Sequence, residues 1–100
     1  MKNIWLRQPQ ECEGSYMFSG TIYVSQGVST LLSKDEISSI LEDMRLFVTE
    51  KNGIDYLIVY QNQNTEQKLF FIDQLNREMI ASGEYKPEYN HATLILAEEY

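Results

Sequence analysis

The amino-acid sequence predicts a single α+β domain over residues 1–100, with a mostly antiparallel sheet of four or five strands and one long amphipathic helix, at about 34–51, packed on one face. Two observations lead to this class. One segment combines helix-capping residues with apolar residues at helical spacing, and the other segments concentrate β-branched and aromatic residues between polar turns. The chain has 100 residues, of which 43% are hydrophobic. This is enough for one buried core and too little for two.

The helix has a start signal, a buried stripe and a stop signal. Ser33 and Glu36 predict a capping box, in which each side chain accepts a hydrogen bond from the backbone N–H of the other residue. Asn52-Gly53 favours a left-handed end after Lys51. The apolar residues that recur at helical spacing are Ile37, Ile40, Leu41, Met44, Phe47 and Val48. We expect this stripe to face the sheet.

Aromatic and β-branched content predicts the strands. The predicted strands lie at 2–7, 16–25, 55–60, 68–73 and about 92–97. The polar segment 61–67 reads as the turn of a hairpin between the third and fourth strands. A long polar loop is expected at 74–91, and loops of such length in compact domains are usually functional or disordered.

The charge limits the classes of partner that we expect, and the cysteine content indicates the compartment. The net charge is −7, so we expect no direct nucleic-acid binding and no attraction to anionic membranes, because phosphate groups bind cationic surfaces. A protein partner with a basic surface fits better. Cys12 is the only cysteine, which rules out an intrachain disulfide and fits a reducing compartment. We see no apolar run long enough for a signal peptide or a membrane span, and we expect a cytoplasmic protein.

One polar cluster, formed by Asp73, Asn76 and Glu78, follows a predicted buried strand. Its oxygen atoms could ligate a divalent cation or serve in acid–base chemistry, as in a small metal-dependent hydrolase. Alternatively, Asp73 and Asn76 bond local backbone N–H groups and shape the turn, which is the interpretation we favour. The sequence offers no nucleophile–base pair, metal cluster or phosphate loop. We therefore expect no catalytic residue, no cofactor and no enzymatic activity.

Tyrosines and carboxylates near the end of the sequence are the candidate binding residues. The predicted partner-binding set is Glu84, Tyr85, Glu88, Tyr89, Glu98, Glu99 and Tyr100. Exposed tyrosine beside acidic groups is typical of protein-binding surfaces, because a rigid ring gives a large contact area at low entropic cost. The alternative is that the rings fold back over the sheet edge. Self-association competes with both readings, since the last strand could be an edge strand that pairs with a second copy in a structural homodimer.

Several short segments resemble one known family. They are Gly27-Val28 with Leu31, the helix end at Phe47, FFID at 70–73, Asn76, Ser82-Gly83, Lys86-Pro87-Glu88 and Thr93 to Tyr100. Together they look like an uncharacterised family of short proteobacterial and plasmid proteins, a domain of unknown function. The resemblance implies the α+β fold and a mobile-element or accessory-gene setting.

Small size and negative charge suggest a more specific role. A compact acidic chain without catalytic residues can occupy the basic groove of a nucleic-acid-binding complex. We therefore expect an accessory factor that inhibits or modulates a host defence or nucleic-acid-handling complex, in the manner of an anti-CRISPR protein.

Overall fold

The computed structural model describes residues 4–100 as a five-stranded sheet with one long helix packed against it. The strands are β1 (Trp5–Arg7), β2 (Thr21–Val24), β3 (Leu57–Asn62), β4 (Lys68–Asp73) and β5 (His91–Leu96). The helices are α1 (Gln26–Leu31), α2 (Lys34–Lys51) and α3 (Arg77–Ser82), with short 3-10 turns at Pro87–Tyr89 and Ala97–Glu99. The predicted α+β class is confirmed.

The strands lie in the order β1-β3-β4-β5-β2. The pairs β1–β3, β3–β4 and β4–β5 are antiparallel, whereas β2 and β5 are parallel. The sheet is therefore mixed, with antiparallel pairs in the majority. β5 is hydrogen-bonded on both sides, by β4 and by β2. The expectation that the last strand forms an edge open to a second copy is wrong, because no free backbone edge remains on an interior strand.

Helix α2 has the predicted bounds and ends. The Ser33 hydroxyl accepts the Glu36 N–H at 3.1 Å, and the Glu36 carboxylate accepts the Ser33 N–H at 3.0 Å. Asn52 follows the helix in the left-handed conformation, with φ 53. Four residues of the predicted stripe are buried: Ile40, Met44, Phe47 and Val48. Burial of this face holds the helix on the sheet.

Polar contacts fasten the edge strand β1 to the same helix. Arg7 donates to Asp43 at 2.8 Å, and its guanidinium lies 3.9 Å from the centre of the Phe47 ring. The Tyr60 hydroxyl donates to the same carboxylate at 2.9 Å, and the Trp5 indole N–H donates to Glu36 at 3.1 Å. These bonds place α2 on the side of the sheet that Trp5 and Tyr60 face.

The strand predicted at 16–25 contains only β2 in its second half. Tyr16 forms one isolated bridge with Ile54, and Phe18 then takes a left-handed conformation with φ 50. That backbone turn ends any continuous strand. Gly20 next allows close passage of the chain, because a side chain there would overlap the carbonyl oxygen of Asn90.

Helix α1 was missed by the sequence reading. Its residues QGVSTL include Gly, Val, Ser and Thr, which are weak helix formers. The helix is held by tertiary contacts instead: the Ser25 hydroxyl accepts the Val28 N–H at 3.2 Å, and Val28 is buried in the core.

Other boundaries shift by one or two residues, and one loop gains structure. β3 begins two residues later than predicted and continues to Asn62, while β5 lies one residue earlier. The region 74–91 contains α3 and one 3-10 turn in place of a plain loop. Residues 2 and 3 of the first predicted strand lie outside the described residues. Within residues 4–100, no helix is long and apolar enough to cross a membrane.

Candidate protein-binding surfaces

The two faces of the sheet differ sharply in burial. The face against α2, called the helix face, carries the buried residues Trp5, Ile58, Tyr60, Asn62, Leu69, Phe71, Asp73, Ala92 and Leu94. Side chains alternate between the faces of a strand. The opposite face, called the open face, carries Leu6, Thr21, Tyr23, Leu57, Val59, Gln61, Lys68, Phe70, Ile72, His91, Thr93 and Ile95. None of these open-face residues is buried.

The centre of the open face is apolar. The strand register places Val59, Phe70 and Ile95 side by side across β3, β4 and β5. A second row places Leu57 beside Ile72. An antiparallel sheet with one face in water usually shows polar residues on that face. Here the three central strands instead carry large apolar side chains that are half-buried.

Aromatic rings lie around this centre. The ring of Tyr100 packs edge-on against Phe70 with 5.6 Å between ring centroids, yet the tyrosine remains 76% exposed. Tyr23 packs against the His91 ring at 5.4 Å. The short turn after β5 therefore brings one predicted binding residue, Tyr100, onto the open face.

Charged groups are sparse on the open face. Within the strands that the structure describes, no Asp or Glu side chain points to this side, and Lys68 and His91 are the only basic residues there. Glu66 and Glu98 border Lys68 at one end, where they line a shallow pocket. The Asp and Glu residues that give the chain its negative charge therefore lie outside the strand positions of the open face.

The predicted tyrosine and acidic residues form two groups instead of one surface. Glu84, Tyr85, Glu88 and Tyr89 precede β5, whereas Glu98, Glu99 and Tyr100 follow it. A strand of six residues separates its two ends by roughly 17 Å, at about 3.3 Å per residue. The sequence suggested a joint surface because the two groups are close along the chain, but the extended strand between them keeps them apart.

The first group lies on a segment that adds nothing to the core. Leu75 is buried, and the next buried residue is Ala92. Between them, Tyr85 is 43% and Tyr89 is 51% exposed. The Asn76 side chain caps α3 by accepting the Met79 N–H at 2.8 Å. We define residues 76–90 as the tyrosine segment. Both tyrosines are about half exposed.

Glu99 of the second group has a structural contact. Its carboxylate accepts the Ser25 hydroxyl at 2.7 Å and the Leu96 N–H at 2.8 Å. The bond from Ser25 is the main reason that the pKa of Glu99 lies below its usual value, and the backbone bond adds to the effect. This contact ties the last turn to the start of α1.

Asp73, Asn76 and Glu78, predicted as a possible metal or acid–base site, each bind a different group in the structure. The Asp73 carboxylate is 3% exposed and accepts the N–H groups of Phe18 and Gln74, each at 2.9 Å. Burial raises the pKa of Asp73, while these N–H groups oppose the rise. Asn76 caps α3. The Glu78 carboxylate accepts the Ser15 hydroxyl, which lowers the pKa of Glu78.

The bonds from Gln74 to Asp73 and from Met79 to Asn76 are local backbone contacts of the kind that shape turns. Asp73 also accepts the N–H of Phe18, which is distant in the sequence, and Glu78 contacts a side chain. In the described part of the chain, no group of three or more His, Cys, Asp or Glu side chains is placed to hold a metal ion. His91 contacts Tyr23, and its Nδ1 lies 3.2 Å from the Glu88 carbonyl oxygen.

A groove of about 620 Å³ lies between the segment after β1 and the end of α2. Its lining includes Arg7, Cys12, Phe47 and Lys51. Arg7 is already bound to Asp43 and stacked on Phe47, so it has little freedom to bind a ligand. Cys12 is exposed beside Glu13 at the rim.

The open face was missed as a candidate site, although a sequence signal for it exists. The segments LIVY, LFFI and TLIL have apolar residues at both odd and even positions. Such strands are typical of sheets covered on both faces.

No protein-family model, curated protein or solved structure matches this chain. The resemblance to an uncharacterised family therefore stays a prediction from the sequence.

Proposed function

We propose that this chain is a non-catalytic protein-binding domain whose main contact surface is the open face of the sheet. The observation that carries the proposal is the row of half-buried apolar residues across three central strands, Val59, Phe70 and Ile95, on a face that no long helix covers. Contiguous exposed apolar patches of several hundred Å² are rare on monomeric proteins and mark interaction sites.

The arrangement has the anatomy of a binding surface. Aromatic Phe70 and Tyr100 provide large rigid contact areas near the centre, and polar Gln61, Lys68 and Thr21 lie toward the margins. Interfaces typically combine an apolar, aromatic centre with a polar rim. Covering the apolar side chains with a partner would remove them from water, which is the principal favourable term in most protein association.

The non-catalytic part of the proposal rests on the engaged polar groups. Asp73, Asn76 and Glu78 each accept a hydrogen bond within the fold. A reactive centre needs a positioned nucleophile, base or electrophile in a cleft that a substrate can enter. These three side chains instead support the backbone around β4 and α3. We place the protein in the cytoplasm, because a single exposed cysteine fits a reducing compartment.

The tyrosine segment supports a second candidate surface, for a partner with a basic surface. Residues 76–90 contain no buried residue, and they expose Ile80, Tyr85 and Tyr89 next to Glu84 and Glu88. Segments that leave the core free and present aromatic groups are disproportionately used for binding. The inhibitory role and the mobile-element setting stay predictions from the sequence. In that role, we expect this chain to contact its target through the tyrosine segment.

Affinity capture from the native host distinguishes the two surfaces. The bait is the wild-type chain, beside Phe70→Glu on the open face and the double variant Tyr85→Ala/Tyr89→Ala on the tyrosine segment. Leu46→Glu is the matched control, because Leu46 is 64% exposed on α2, away from both surfaces.

A partner that is lost with Phe70→Glu and kept with Leu46→Glu supports binding through the open face. A partner lost only with the tyrosine double variant assigns the function to the tyrosine segment. A partner retained by all variants, or none captured by the wild type, counts against the proposal. Circular dichroism of each variant confirms that it is folded before capture.

A further inference from the structure

We infer that the open face binds a second copy of this chain, forming a reversible dimer in which two sheets pack face to face. The inference rests on the proposed function in one respect, namely that the open face is a protein-binding surface. The inference goes further by naming one binding partner, a second copy of the chain, and by predicting that the contact is weak.

Charge is the first argument. A chain of net charge −7 repels its own copy, so a self-association surface must keep carboxylates apart. No Asp or Glu side chain of the described strands lies on the open face, and Lys68 adds a positive charge. Two open faces can therefore meet without opposing strand carboxylates. Carboxylates beyond the sheet are screened over about 8 Å at physiological ionic strength.

Area is the second argument. The five strands together hold 25 residues, and at about 3.3 Å per residue and about 4.8 Å between strands they give a face of about 400 Å². Two copies would together bury about 800 Å² of strand surface. This value lies below the roughly 1,000 Å² of specific interfaces and far below the roughly 2,000 Å² or more of obligate dimers. The face therefore suits a weak, reversible dimer whose monomer is folded.

Strand order is the third argument. β4 is the middle strand, and Phe70 lies within it on the open face. A two-fold axis near the centre of the face places Phe70 and its Tyr100 neighbour close to the same rings of the other copy. Pairing through sheet edges is less favourable, because the edge strands β1 and β2 have only three and four residues.

Sedimentation equilibrium of the purified chain tests the inference, from about 1 µM to about 500 µM, a range that brackets weak interfaces. We expect the mass to rise from 11.7 kDa toward twice that value with increasing concentration. Phe70→Glu should raise the dissociation constant at least about tenfold, as for a central interface residue. The control Leu46→Glu should leave it unchanged.

A second variant guards against misfolding of Phe70→Glu. Val59→Thr combined with Ile95→Thr keeps β-branched residues in the strands while removing apolar surface, and it should also weaken the dimer. Raising the salt concentration from about 0.05 M to about 0.5 M should strengthen an apolar contact between two acidic chains. A monomeric mass at every concentration overturns the inference, as does a dimer that the open-face variants do not weaken.

The inference and the proposed function fail separately. A monomeric chain whose captured partner is still released by Phe70→Glu leaves the proposed function standing and removes the dimer. A dimer weakened by the open-face variants, with no partner captured from the host, supports the inference and removes the role in binding another protein.

Discussion

Replacing Asp73 by alanine removes a contact that joins two distant parts of the chain. One oxygen of the buried carboxylate accepts the N–H of Phe18, and the other accepts the N–H of Gln74. Phe18 has φ 50, a left-handed conformation that costs roughly 1–2 kcal/mol for a residue with a Cβ atom. The Phe18 side chain is buried and packs edge-on against Phe71 at 5.2 Å. The carboxylate therefore stabilises a backbone turn on which part of the core depends.

The size of the effect follows from the hydrogen bonds lost. A buried N–H without an acceptor costs about 1–3 kcal/mol, which applies to Phe18. The N–H of Gln74 also donates to the His91 carbonyl oxygen at 3.1 Å, so losing its bond to Asp73 costs only about 0.5 kcal/mol. We expect Asp73→Ala to lower the free energy of unfolding by about 1.5–3.5 kcal/mol, a large share of the roughly 5–15 kcal/mol typical of such domains.

Urea unfolding followed by circular dichroism measures this loss. Glu42→Ala is the control, because it removes an exposed carboxylate of α2 and should change the free energy of unfolding by no more than about 0.5 kcal/mol. If Asp73→Ala is as stable as the control, the carboxylate does not hold Phe18 and the reasoning is refuted.

The pH dependence of the same carboxyl has a definite sign. Burial raises the pKa of Asp73 above the usual aspartate value of 3.8, so the folded chain binds a proton where the unfolded chain has released it. The associated stability is fully present below the unfolded pKa and is lost as pH rises through the folded pKa. The difference in unfolding free energy between wild type and Asp73→Asn should therefore narrow as pH rises above 3.8. A difference that widens contradicts the assignment.

Two further predictions concern the core and the last turn. Ile40→Ala should lower the free energy of unfolding by about 2–5 kcal/mol, as for large-to-small core changes, because Ile40 is fully buried; Leu46→Ala, at an exposed position of α2, should cost no more than about 0.5 kcal/mol in the same denaturation assay. Ser25→Ala should raise the pKa of Glu99 toward its usual value in an NMR titration, because the main bond that lowers it is lost. Ser29→Ala, on the exposed side of α1, should leave that pKa unchanged, and an equal response to both variants would argue against the Ser25 contact.

The long helix could be predicted from the sequence because its signals are local. The two residues of the capping box are three positions apart, and the stop signal directly follows the last turn of the helix. The neighbouring α1 had no comparable signal, since its stability comes from burying Val28 and from the Ser25 cap. Local propensity is a weak guide where tertiary contacts decide.

The position of β2 beside β5 could not be predicted in the same way. The two strands are parallel and lie far apart in the sequence, with α1, α2, β3, β4 and α3 between them. Neither segment contains a sequence signal for this pairing. If β2 paired with another strand, β5 would lie at the edge of the sheet, as we expected from the sequence. The separation of Tyr89 from Tyr100 has the same origin, because it depends on the extended path of β5.

Apolar residues at both odd and even positions of the strands are the sequence signal that indicates a partner surface most directly. Phe70 and Phe71 are neighbours in the chain and must point to opposite sides of β4. Phe71 is fully buried on the side of α2. Phe70 lies between Val59 and Ile95 on the side that no long helix covers, where it also contacts the exposed Tyr100 ring. The choice of an apolar residue at both positions is explained if both faces are covered in the working state of the protein.

The distribution of charge predicts that binding at the two proposed surfaces depends on salt in opposite ways. An apolar contact through the open face joins surfaces without strand carboxylates, so added salt should favour it by screening the net charge of each chain. A basic partner at the tyrosine segment would instead be attracted by Glu84 and Glu88, and added salt should weaken its binding. The two contacts should therefore respond to added salt in opposite directions, because they differ in the force that forms them. The sign of the salt dependence then identifies which surface a given partner occupies.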